Sequence, residues 1–97
     1  MYAGNLTIWP GSHHVLEQYF RERGPRAMEE GLPKADVGSP VQLKCEVGDV
    51  ILSHYQLAHA AAVNISDNDR IAIFFRIFLK DIDDWEALTN IWKGWKI

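Results

Sequence analysis

Arg70-Ile71-Ala72-Ile73-Phe74-Phe75-Arg76-Ile77-Phe78-Leu79 is the stretch on which the fold turns. Side chains of a strand alternate between faces, so Ile71, Ile73, Phe75, Ile77 and Leu79 share one wholly apolar face. Arg70, Ala72, Phe74, Arg76 and Phe78 share the other. The pattern predicts a strand over 70–79 with one face in a core. Immediately upstream, Asn64-Ile65-Ser66-Asp67-Asn68-Asp69 is dense in residues that bond their own backbone and accept turn dihedrals. Before it, 57–63 is apolar apart from His59, and a hairpin through the polar loop would bring His59 close to Arg70. Further back, 41–54 alternates, breaks at Gly48-Asp49 and resumes as Val50-Ile51-Leu52, which predicts two strands joined by a tight turn. Cys45 would be a buried small residue on the first of them.

The remaining elements flank these strands. Residues 4–10 carry the β-favouring run Leu6-Thr7-Ile8-Trp9 and stop at Pro10-Gly11-Ser12. Val15, Leu16, Tyr19 and Phe20 then recur at helical spacing, predicting a helix from His13 to Arg23 with Ser12 as its N-cap and Gly24-Pro25 as its stop. Residues 26–40, punctuated by Gly31, Pro33, Gly38 and Pro40, read as a helical turn and an exposed loop. Trp85, Leu88, Ile91, Trp92 and Trp95 predict a final amphipathic helix over 83–95, acidic at its start and carrying Lys93 and Lys96 at its end. The expectation is a mainly β chain with flanking helices, one domain over 1–97.

With 97 residues, 47% of them hydrophobic and 24% charged, the composition is that of a folded globular chain. A formal net charge of -3 leaves no surplus of Lys and Arg to neutralise phosphates, so nucleic acid is not an expected partner. No apolar run approaches the ~20 residues of a membrane-spanning helix, and no secretory leader is evident. A lone cysteine, Cys45, makes no internal disulfide, so a cytoplasmic location is the expectation.

Four histidines and two arginines carry the candidate chemistry. His59 is an imidazole that could serve as metal ligand or base, and Arg70 a guanidinium suited to bidentate pairing with a carboxylate or phosphate. A half-buried Arg70, beside Ala72 and Phe74, would need an anion. Spacing alone favours the plainer alternative, a histidine and a surface arginine at a hairpin mouth. His54, an odd interval before His59, would point to the opposite face of a continuous strand. His13 and His14 diverge by about 100 degrees at a helix start and read as solvated. The acidic cluster of Asp81, Asp83, Asp84 and Glu86 is explained by a helix N-terminus.

Three segments together resemble a known family. They are Gly4-Asn5-Leu6-Thr7-Ile8-Trp9-Pro10-Gly11-Ser12-His13, Gly48-Asp49-Val50-Ile51-Leu52-Ser53-His54-Tyr55-Gln56-Leu57-Ala58-His59, and Asn64-Ile65-Ser66 followed by Arg70-Ile71-Ala72-Ile73-Phe74-Phe75-Arg76. In this order they are similar to the C-terminal half of the phytanoyl-CoA dioxygenase family, iron(II) and 2-oxoglutarate dependent oxygenases. The resemblance implies a partial double-stranded β-helix of the jelly-roll or cupin-like kind. It implies that His59 matches the distal histidine of the iron triad, that Arg70 matches the arginine holding the far carboxylate of 2-oxoglutarate, and that Asn64 matches a residue beside that site. It assigns no catalytic acid or base.

The chain also departs from the pattern. Such iron takes two histidines and a carboxylate, and the family supplies the first two ligands from a His-X-Asp or His-X-Glu pair. Here His13, His14, His54 and His59 are followed two positions on by Val15, Leu16, Gln56 and Ala61. Ala60-Ala61 stands where many relatives carry glycine and a hydroxyl residue. The expectation is therefore a C-terminal part of a dioxygenase, inactive alone, whose full form acts on a small-molecule substrate. The alternative is a non-catalytic β-rich domain that binds or self-associates. Half a β-helix leaves open edges and an uncovered face, so either a missing N-terminal half or a second copy, as a homodimer, is the expected partner.

Overall fold

A computed structural model describes residues 3–77 and 80–95. A short strand β1 (Leu6–Ile8) leads through the Pro10-Gly11 turn into helix α1 (Ser12–Arg23), followed by a 3-10 turn over Pro25–Glu29. Strands β2 (Val41–Gln42) and β3 (His59–Ala61) come next, and helix α2 (Asp84–Thr89) is the last element. The sheet has the order β2-β1-β3. Both neighbours run antiparallel to β1, with Ile8 opposite Val41 on one side and opposite His59 on the other. The connection from β2 to β3 thus crosses from one edge of β1 to its other edge. This is a small antiparallel sheet with two helices, and three strands do not by themselves make a jelly roll.

Further bonds on both edges of β1 extend this sheet beyond its short strands. The Asn5 side-chain amide donates to the Leu43 carbonyl (2.9 Å), and the Leu43 amide donates to the Leu6 carbonyl (2.8 Å). On the other side the Ala62 amide reaches the Asn5 carbonyl (2.8 Å), and an isolated bridge joins Ala3 to Asn64.

Helix α1 ends at Gly24, whose amide reaches the Phe20 carbonyl before Pro25 removes the next donor. Its start differs from the expected cap. Gly11, at φ +77, occupies the cap position, and Ser12 is the first helical residue. The Ser12 hydroxyl, fully buried, instead accepts the amide of Ala58 at 2.8 Å. The core lies between α1 and the C-terminal segment: Phe20, Ala27 and Ile91 are its buried apolar residues.

The expected helix over 83–95 is helical only from Asp84 to Thr89, then turns through Ile91–Gly94; Lys96 lies outside the described residues. Asp83 caps it by accepting the Glu86 amide (2.8 Å). It stops early because other segments take the carbonyls that further helix would use. Tyr55 Oη donates to Ala87 O (2.5 Å), Gln56 Nε2 to Leu88 O (3.5 Å) and Arg21 Nε to Thr89 O (2.5 Å). The Ile91 amide, in turn, donates to Glu17 Oε2 at 2.9 Å.

The expected strands are also shorter. Within 41–54 only Val41–Gln42 is strand, although the turn forms where it was expected: the Asp49 amide reaches Glu46 O, and the Asp49 carboxylate accepts the Glu46 amide. Cys45 is exposed rather than buried, because the chain beyond Leu43 leaves the sheet and nothing covers it. Within 57–63 the strand is His59–Ala61. The stretch 70–77 is not a strand, and Ile71, Ile73, Phe74, Phe75 and Ile77 are all exposed; Phe78 and Leu79 lie outside the described residues. Strand formation needs a neighbour as well as β-favouring residues. Both edges of β1 are already occupied, and after Asn64 the chain turns back toward Gly4 rather than along β3.

The Glu17 carboxylate bond to the buried Ile91 segment is charge-assisted, so Glu17→Ala should lower stability by about 2 kcal/mol. Urea unfolding followed by circular dichroism measures this, and a change within about 0.5 kcal/mol would mean that the C-terminal segment is held by apolar packing alone.

Candidate functional site

His59 opens β3 and faces Ile8 across the β1 ladder. Two bonds hold the residue just before it: the Trp9 amide donates to the Ala58 carbonyl (3.0 Å), and the Ala58 amide donates to the Ser12 hydroxyl. The Pro10-Gly11-Ser12 turn thereby sets the backbone position of His59. The ring itself is exposed, with Nδ1 2.9 Å from the Leu57 carbonyl. A carbonyl oxygen only accepts, so Nδ1 carries the proton and Nε2 keeps its lone pair.

Asn64 organises the polar loop. Its Oδ1 accepts both the amide (3.0 Å) and the hydroxyl (2.6 Å) of Ser66, and its Nδ2 donates to the Asn68 carbonyl (2.9 Å). That closed turn delivers Arg70 onto Gly4. A Cβ built on Gly4 would meet Arg70 Cδ at 3.4 Å, Arg70 Cβ at 3.5 Å and Asn64 Cβ at 3.5 Å. Gly4 also holds φ +73, a region that side-chain-bearing residues rarely adopt. Arg70 is exposed rather than half-buried, and among the described residues neither Asp67 nor Asp69 forms an ion pair with it.

The structure therefore brings Arg70 and Asn64 together but does not set His59 beside Arg70 in a hairpin. Arg70 packs by Gly4, whereas His59 pairs with Ile8 four residues along the same segment, a separation of roughly 13 Å in extended chain. The hairpin fails because Asn64 bridges to Ala3, which turns the chain across the start of β1.

The other three histidines gather elsewhere, against Trp92 and Trp95. His54 stacks on Trp95 (5.2 Å between centroids) and meets Trp92 edge-on at 4.7 Å. Both of its nitrogens are engaged: Nδ1 accepts the Gln56 amide (2.9 Å), and Nε2 donates to the Ile91 carbonyl (2.7 Å). His54 is a structural clamp with no free lone pair. His13, expected to be solvated, is half-buried, and its Nδ1 is covered without a hydrogen-bond partner. Burial lowers the His13 pKa below the usual 6.5, the His14 and His54 rings act the same way, and the Glu17 carboxylate opposes them. Among the described residues no three His, Cys, Asp or Glu side chains gather as a metal site.

Sequence reasoning missed Gly4, Ser12, Glu17 and Gln56 as positioning residues. Gly4 alone carried a usable signal, a glycine opening a β-favouring run, where close approach of another chain segment is common.

A family model described as phytanoyl-CoA dioxygenase (PhyH) matches residues 2–72. The matched region contains His59, Asn64 and Arg70 and ends before α2. No curated protein and no solved structure matches the chain.

Gly4→Ala should cost about 1 to 2 kcal/mol through the left-handed backbone, the added Cβ itself meeting Arg70 and Asn64 at ordinary contact distance. Amide spectra of the variant should change at Asn64 and Arg70 and leave Ile91 in place; a spectrum changed only at Gly4 itself would contradict the packing. His13 adds a pH dependence. The unfolded chain takes up the proton near 6.5 and the folded chain only below that. Stability is therefore full above the unfolded value and falls as pH drops through the lowered folded one. Melting temperatures compared between about pH 7.5 and 5 should show this decline, and His13→Gln should flatten it.

Proposed function

Because this chain belongs to the phytanoyl-CoA dioxygenase family, we propose that it is the C-terminal part of an iron(II) and 2-oxoglutarate dependent dioxygenase acting on a small molecule. In this reading His59 presents Nε2 to the metal, Arg70 presents its guanidinium to the far carboxylate of 2-oxoglutarate, and Asn64 shapes the loop that carries Arg70. The observation that supports it is the His59 tautomer. A proton held on Nδ1 by the Leu57 carbonyl leaves Nε2 as the nitrogen able to ligate, and metal-binding histidines commonly donate their other ring N–H to a carbonyl in this way. His54, with both nitrogens engaged, offers nothing comparable.

The group that the family implies does not fit the described residues by themselves. Iron of this class takes two imidazoles and a carboxylate, and among the described residues no three His, Cys, Asp or Glu side chains gather to hold it. What this chain can do alone is bind and orient. Arg70 is free of competing ion pairs among the described residues, and a guanidinium grips a carboxylate in bidentate fashion where an ammonium cannot. The non-catalytic alternative is favoured by the uncovered segment 71–77.

The test is a chemical-shift titration with 2-oxoglutarate without metal. One charged contact should give affinity near 1 mM, about 4 kcal/mol, weakening as salt is raised. Shifts should centre on Gly4, Asn64 and Arg70 and disappear in Arg70→Lys. Manganese(II) added separately should broaden His59 before His54, and that broadening should vanish in His59→Ala. Shifts that survive Arg70→Lys, or equal broadening at His54, would count against the assignment.

A further inference from the structure

The start of α1 and the turn after α2 meet through a cluster of rings in which His59 and Arg70 have no part. Between ring centroids, His13 lies 4.0 Å from His14 and 5.8 Å from His54. Trp92 joins all three histidines, edge-on to His13 at 5.8 Å and to His54 at 4.7 Å, and 6.3 Å from His14. Trp95 meets Trp92 edge-on at 5.5 Å and stacks on His54 at 5.2 Å. Residues 91–95 are held on the molecule by these rings together with two backbone bonds, from the Ile91 carbonyl to His54 and from the Ile91 amide to Glu17.

The cluster suits neutral imidazoles. A charged imidazole donates from both nitrogens, and His13 Nδ1 is covered with no group to receive its proton. His54 accepts the Gln56 amide at Nδ1 and donates to the Ile91 carbonyl from Nε2, the pattern of an uncharged ring. Charges placed on neighbouring rings at these distances would repel. The one carboxylate that favours a charged His13 is Glu17, already shared between the Ile91 amide and the Arg21 guanidinium, 3.4 Å away. Tyr55, whose hydroxyl burial pushes above its usual 10, stays neutral, and Lys93 pairs with Glu86. Trp92, partly exposed and in a turn, is the neighbour of His13 that can withdraw without breaking a helix or the sheet, and its withdrawal opens the ring to water.

We propose that this cluster is an acid-operated latch: neutral rings hold residues 91–95 against the start of α1, and proton uptake at His13 releases that turn while the sheet stays in place. The open form takes the proton near 6.5 and the closed form only below that, so the latch is shut above 6.5 and opens as pH falls toward the lowered closed value. With one proton taken up per opening, the ratio of open to closed rises by at most about tenfold per pH unit across that window. The latch does not depend on iron or 2-oxoglutarate, so it stands or falls apart from the functional reading above.

Nitrogen-15 spectra of the full chain, taken from about pH 7.5 to 5.5, read the opening directly. The indole signals of Trp92 and Trp95 and the amide of Ile91 should move together toward unstructured positions with one midpoint below 6.5, while the amides of Leu6–Ile8 hold. His13→Phe, which keeps a neutral ring beside His14 and Trp92, should hold the turn closed over the same range. His13→Gln gives a second neutral side chain should the phenylalanine disturb the packing at pH 7.5. Signals of the turn that stay fixed in the unsubstituted chain, sheet amides lost at the same midpoint, or an opening equal in both variants, which would assign it to Glu17, would each overturn the proposal.

Discussion

The capture of backbone groups at the end of α2 is the constraint on which the packing of this molecule depends. A helix of six residues is far below the length at which helices persist alone in water. It survives because Tyr55, Gln56 and Arg21 donate to its last carbonyls, while Glu17 takes the amide of Ile91 and His54 the Ile91 carbonyl. Those donors come from α1 and from the segment leading to β3. The fully buried Ile91 is thereby pinned into the core, and the three distant parts of the chain become one body.

The same segment explains why two similar histidines have different chemistry. His54 and His59 are separated by five residues, and each imidazole is fixed by backbone partners. At His54 an amide and a carbonyl use both nitrogens. At His59 a single carbonyl fixes the tautomer and leaves the second nitrogen outward. Ser12, buried in the turn after β1, holds the backbone between them in place. The chemical difference between an imidazole clamped at both nitrogens and one held at a single nitrogen thus resides in main-chain geometry rather than in the side chains themselves.

What was legible in the sequence is what local chemistry decides. Gly24-Pro25 ends α1, Asp83 caps α2, and Gly48-Asp49 marks a turn, because each needs only its immediate neighbours. The order of motifs around His59 and Arg70 was enough to indicate the family. What was not legible depends on distant partners. Alternation from Ile71 to Ile77 states a preference for strand but cannot supply the adjacent strand, so the segment stands exposed. Helical spacing through Trp95 was real, yet Tyr55, Gln56 and Arg21 intercept the carbonyls at Thr89 and earlier. Ser12 had every mark of an N-cap and was diverted to Ala58 by a contact forty-six positions away.

The crossing of the sheet order has a temporal consequence. β1, the central strand, is made first, yet its partner β3 lies some fifty residues later and the contact from Glu17 to Ile91 spans seventy-four. At about 5 to 20 residues per second, a ribosome leaves β1 without its second neighbour for several seconds. Closure of such long loops is the slow part of folding. The bare segment 71–77 is made after β3 and before Ile91, so a nascent chain of this design is exposed to wrong pairings before its own last anchor has been synthesised.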